Sequence, residues 1–164
     1  MRKRNGRNQS PRLMAAAAGI GAVAGLRSMT APAVVSLAAQ RSWIRVPRRL
    51  KFLKSPRTAA VFSVLAVAEL VVDKLPSTPN RTEPISLAAR AVSGGLCAGV
   101  VCSSKPKLTF AGTALGALAA IASAFAAYNV RKQLDKRLAV SDKVVAVAED
   151  ALASGSGLLL LRGA

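Results

Sequence analysis

The chain has 164 residues, 52% of them hydrophobic, with 24 Lys and Arg against 7 Asp and Glu and no histidine. A formal charge of +17 beside a positive mean hydropathy argues against an ordinary basic soluble domain, because the charges cluster and the runs between them are nearly charge-free. The lack of histidine removes every Ser-His-Asp or Cys-His arrangement and the commonest metal ligand, so no metal or cofactor is expected.

Met1 to Arg12 is a polar tail carrying Arg2, Lys3, Arg4, Arg7 and Arg12. Its composition predicts disorder in solution and attraction to anionic headgroups. Tail and following apolar run share the first two regions of a secretory signal, but Arg27, Pro32 and a second apolar run come next. The segment is therefore read as retained. Residues 13–162 are expected to form one membrane domain.

The first apolar segment, Leu13 to Gln40, divides at Arg27-Ser28 and again at Pro32, which leaves halves too short to span alone. Gly21-x-x-x-Gly25 offers small-residue spacing for close helix approach, within the chain or in a homo-oligomer. Arg41 to Arg57 is a basic connector without an acid, and Trp43, Ile44, Phe52 and Leu53 are interleaved with its cations. That mixture suits a membrane interface, with Arg45, Arg48, Arg49, Lys51 and Lys54 meeting lipid phosphates.

The second segment, Thr58 to Leu75, is apolar until Glu69 and closes on Asp73-Lys74 before a proline-rich polar loop. The third, Ile85 to Ser104, contains Arg90, Gly94-Gly95 and Gly99. Cys97 and Cys102 in this segment point in different directions on a helix, so they are read as unpaired packing residues. The fourth, Leu108 to Val130, is long enough at about 1.5 Å per residue to cross a hydrocarbon core of roughly 30 Å. It is expected to continue as an amphipathic helix through Leu138. The fifth is Val144 to Leu161, with Glu149 and Asp150 inside it. The predicted fold is an all-α polytopic bundle of four to five apolar segments, the first a broken or re-entrant hairpin.

Two pairs of stretches look like an internal repeat. Val64–Glu69 matches Val144–Glu149, and Gly21–Leu26 matches Gly116–Ile121 more weakly. Counting Lys and Arg on either side bears on topology. If all five segments span, the loops divide 12 against 10, which is no bias. If the first segment enters and leaves on one side, they divide 15 against 7, with the tail and the connector on the cytoplasmic face of the inner membrane. Turning the fourth segment back as well would sharpen the bias, but nothing in that segment breaks it.

Arg27, Glu69, Arg90, Glu149 and Asp150 lie in or near apolar segments. On the translocon scale an embedded charge costs roughly 2.5–3.5 kcal/mol at a helix centre, so such groups turn inward and pair. Arg27 with Glu69 is the expected pair. The candidate polar site comprises Arg27, Ser28, Pro32, Glu69, Asp73, Lys74, Arg81, Arg90, Glu149 and Asp150.

Gly25-Leu26-Arg27-Ser28 with Ala31-Pro32, Glu69-Leu70-x-x-Asp73-Lys74-Leu75-Pro76 with Pro79-x-Arg81, and Glu149-Asp150 together resemble the bacterial membrane family called domain of unknown function 4126, over about residues 15–161. The resemblance implies a multi-pass membrane protein and brings no activity with it.

A small transporter- or channel-like protein accounts for the embedded charges, the broken segment and the repeat. A structural or lipid-interacting membrane protein accounts for the same charges as packing devices. An intramembrane enzyme would rest on paired carboxylates alone, and enzymatic activity is not expected. A soluble nucleic-acid binder would explain the charge but not the apolar runs, so no nucleic-acid partner is expected.

The hairpin makes a topological prediction. In a background lacking Cys97 and Cys102, Ser10→Cys and Ser55→Cys should both react with an impermeant thiol reagent from the same side of the membrane. Labelling from opposite sides would contradict the hairpin.

Overall fold

The computed structural model describes residues 5–72 and 83–137, together with Gly155, Leu159, Leu161 and Arg162. Among these residues the regular structure is helical, with no strand. Helices α1 (Asn5–Leu26) and α2 (Thr30–Gln40) form the broken first segment. A 3₁₀ stretch, Arg48–Lys54, lies within the basic connector and leads into α3 (Pro56–Val72). Helices α4 (Pro84–Cys102) and α5 (Pro106–Arg137) follow. Helix α1 starts at Asn5, inside the stretch expected to be a disordered tail. Prolines open α3, α4 and α5, where a missing N–H removes no helical hydrogen bond.

Among the described residues two helices, Pro84–Cys102 and Pro106–Val130, are long and apolar enough to cross a membrane. Most of the expected fifth segment and of the loop after α3 falls outside the described residues, so of the predicted four to five apolar segments these two reach that length among the residues described. Leu161, from the expected fifth segment, is fully buried in the core.

Helices α1, α4 and α5 pack on one another, and α2 packs on α3 and more lightly on α4. The three-helix contact is made by residues with almost no side chain. A Cβ on Gly21 would run into the backbone of Gly116, and Ala17, Ala24, Ala98 and Ala120 are fully buried around this seam. Close backbone approach lets dispersion act over many atoms where few large side chains are available. Gly21 faces Gly116 and Gly25 faces Ala120, so the two stretches that match in sequence pack parallel and in register. Gly21-x-x-x-Gly25 is thereby used within the chain. The Val144–Glu149 half of the apparent repeat lies outside the described residues.

The first segment doubles back. Near the start of α1, Ser10 accepts a hydrogen bond from Lys105 Nζ at 3.1 Å, and the Leu13 carbonyl lies 3.8 Å from Cys102 Sγ. Just after α2, the Arg45 carbonyl lies 3.3 Å from Ser103 Oγ. Both outer ends of the α1–α2 hairpin therefore sit at the C-terminal end of α4. The turn between them lies beside Arg90, twelve residues or about 18 Å further along α4.

Helix α2 ends in a Schellman motif. Trp43 N–H bonds the Ala38 carbonyl at 2.9 Å, and Ser42 N–H bonds that of Ala39 at 3.1 Å. Ser42 adopts φ 58°, a left-handed conformation that glycine accepts more readily.

Two measurements follow from this packing. Gly116→Leu should abolish the folded state in detergent, because an added side chain runs at once into the Ala98 side chain and the Gly94 backbone of α4. Ser42→Gly should raise stability by about 1 kcal/mol through relief of the left-handed strain. Detergent-phase thermal unfolding reads both, and a tolerated Gly116→Leu would refute the close α4–α5 approach.

Candidate functional site

Breaking a helix frees N–H groups at one new end and carbonyls at the other. In this chain the break falls at 27–29, where Arg27 N–H still bonds the Val23 carbonyl at 2.9 Å and Ala33 N–H makes an α2 bond to Met29 at 3.2 Å. Pro32 lies inside the first turn of α2, so it is accommodated by the new helix and is not itself the break.

The freed groups at the break are met from two other helices. Glu69, on α3, accepts Ser28 N–H at 2.9 Å and Ser28 Oγ–H at 2.7 Å through Oε1, and Met29 N–H at 2.8 Å through Oε2. The carboxylate thus sits at the N-terminal end of α2, where the helix dipole favours negative charge. Arg90, on α4, donates from Nη1 to the Gly25 carbonyl at 2.6 Å and the Leu26 carbonyl at 2.8 Å, at the end of α1 where the dipole favours positive charge. Its Nε reaches Ser86 Oγ at 3.3 Å, and Ser93 Oγ donates to the Ser28 carbonyl at 2.5 Å. Ser86, Arg90 and Ser93 share one face of α4: Arg90 and Ser93 donate three hydrogen bonds to the break, and Ser86 accepts one from Arg90. Ser123 of α5 adds a bond to the Ala22 carbonyl at 2.9 Å.

This assembly alters one expectation. The expected partner of Glu69 is a guanidinium, whereas the bonds its oxygens accept here come from Ser28 and Met29 at the break. Arg27 is buried at the same break, 3% exposed, as is Arg90 at 4%. The structure therefore brings Arg27, Ser28, Pro32, Glu69 and Arg90 to one region. Asp73, Lys74, Arg81, Glu149 and Asp150 lie outside the described residues. Arg45, Arg48, Arg49, Lys51 and Lys54 are exposed, away from the break.

Sequence reasoning missed Ser86 and Ser93. Their spacing of four and three residues around Arg90 was the available signal, since such spacing places groups on one helix face. Cys97 and Cys102 are both buried and unpaired, as expected.

The motif residues around Gly25–Ser28 and Glu69 thus meet in space, and the sequence profile called domain of unknown function (DUF4126) matches residues 14–162. The chain belongs to this family. No curated protein and no solved structure matches the chain. Within this DUF4126 chain, the break is where residues of α3 and α4 converge on the facing ends of α1 and α2.

If Glu69 is the cap of α2, its removal leaves three donors unmet. Glu69→Ala should cost about 3 kcal/mol and Ser28→Ala about 1 kcal/mol. A double-mutant cycle in detergent should give a Ser28–Glu69 coupling near 1 kcal/mol and a smaller Arg27–Glu69 coupling. The reverse order would return Glu69 to Arg27.

Proposed function

We propose that this DUF4126 chain is a multi-pass integral membrane protein of transporter- or channel-like architecture, with its polar site at the α1–α2 break. The reading also puts it in the inner (cytoplasmic) membrane with the N-terminus in the cytoplasm. The observation that carries it is the pair of half-helix ends held by Glu69 and Arg90 from two other helices. Irregular backbone at membrane depth is tolerated where protein buries it or where it lines a cavity, and discontinuous helices form ion and substrate sites in many transporters. The Ser28 and Met29 N–H groups bind a carboxylate here, and an anionic solute would compete for the same donors.

Surface composition supports the membrane part of the reading. A core helix of a soluble protein is mostly buried, whereas the apolar window of α5 is only 28% buried. Val64 and Val67 on α3, Val92 and Leu96 on α4, and Phe110 and Leu118 on α5 are all exposed. Apolar surface of that extent calls for lipid or another protein.

A second reading has an observation of its own. Glu69 already saturates the donors it touches, as a purely structural cap would. In that reading the protein is structural or lipid-interacting, and its embedded charges serve helix packing alone.

The first test is fractionation. The protein should remain with membranes through high-salt and carbonate washing, and release of most of it would sink the membrane-spanning reading. The second uses proteoliposomes loaded with chloride-, proton- or potassium-sensitive dyes. Flux above empty liposomes that Ser28→Ala changes at least fivefold, with the fold intact by thermal unfolding, supports the transporter-like reading. A folded protein giving no flux of any of the three ions favours the structural one.

A further inference from the structure

At the end of the bundle opposite the break, three separate parts of the chain line a partly open cavity of about 300 Å³. Its apolar wall is Leu13 of α1, Ile44 of the connector and Val101 of α4. Its polar side is Arg45, Ser104 and Lys105, with Trp43 beside them. Among the described residues no acid lines it, and the connector from Arg41 to Arg57 has none in its sequence. The walls are fixed in place: the Ser42 turn sets Trp43, Arg41 stacks over its ring at 5.3 Å, the Arg45 backbone lies against Ser103, and Lys105 Nζ is held at Ser10.

We propose that this cavity is a binding site for the phosphate headgroup of an anionic phospholipid. Arg45 and Lys105 would take the phosphate oxygens and the Ser104 hydroxyl would donate to one of them. The first part of an acyl chain would lie on Leu13, Ile44 and Val101. Two cations from different segments meet a phosphate, which carries charge and several acceptors in a small volume. The joined apolar wall distinguishes a lipid from free phosphate, which has nothing to place there. A tryptophan at this position matches the headgroup depth that indole rings prefer. The site differs from the general attraction of the exposed connector cations in having a defined shape and in using Lys105 from the α4–α5 link. The inference rests on the membrane reading.

The test uses the full chain purified in a neutral detergent, with native mass spectrometry and thermal unfolding as readouts. The probes are phosphatidylglycerol, phosphatidylcholine of the same acyl chains, and inorganic phosphate. One phosphatidylglycerol should bind per chain at least tenfold more tightly than phosphatidylcholine. Arg45→Gln with Lys105→Gln should weaken it at least tenfold, whereas Arg57→Gln with Lys107→Gln, an equal loss of charge at exposed positions outside the cavity, should change it less than twofold. Arg45→Gln alone, at an exposed side chain, should show a partial loss if the double variant does not fold. Equal weakening by the two pairs would mean diffuse adsorption and overturn the site. So would phosphatidylcholine binding as tightly, or inorganic phosphate producing the whole effect. Extraction of the protein by carbonate alongside an intact phosphatidylglycerol preference would refute the membrane-spanning reading and leave this site standing.

Discussion

Unpaired backbone groups in the interior are the constraint on which this structure turns. An apolar segment that reverses between Leu26 and Thr30 exposes N–H and carbonyl groups where little water is at hand. Leaving each unmet costs about 1–3 kcal/mol. The Glu69 carboxylate meets two of the N–H groups and the Ser28 hydroxyl, and the Arg90 guanidinium meets two carbonyls. Each ion is in turn stabilised by the end of the helix it caps. Two charges that would each be unfavourable alone thus hold the break, one at each of its helix ends.

The small-residue seam makes that arrangement reachable. Arg90 can touch the end of α1 only if α1 and α4 lie close along their length, and glycine and alanine on the facing surfaces permit it. Larger side chains at Gly21, Gly94 or Gly116 would push the helices apart and draw the guanidinium away from Gly25 and Leu26. Packing and polar pairing therefore depend on one another, and neither α1 nor α4 settles its position independently.

Much of this was legible in the sequence. Arg27-Ser28 marked the break, and the distribution of Lys and Arg favoured a doubled-back first segment. The structure agrees, since Ser10 and Arg45 both lie at the C-terminal end of α4. The cost of burying Glu69 and Arg90 signalled that both would have partners. Their identity was not legible, because counting side-chain charges overlooks the backbone donors and acceptors that a helix end supplies. Pro32 was read as a breaker because a proline inside a helix disrupts it, whereas one in the first turn does not. The cavity beside Trp43 could not be anticipated, since its walls come from α1, the connector and the end of α4, and only their packing defines it.

The caps also fix an order of events. Gly25 and Arg90 are 65 positions apart, and Ser28 and Glu69 are 41 apart. During synthesis at about 5–20 residues per second, residue 90 is added roughly 3–13 s after residue 25. Throughout that interval the end of α1 lacks its guanidinium, and for the earlier part of it the start of α2 lacks its carboxylate. The first segment is made well before the groups that complete it, so its final depth and bend are set by residues that leave the ribosome later.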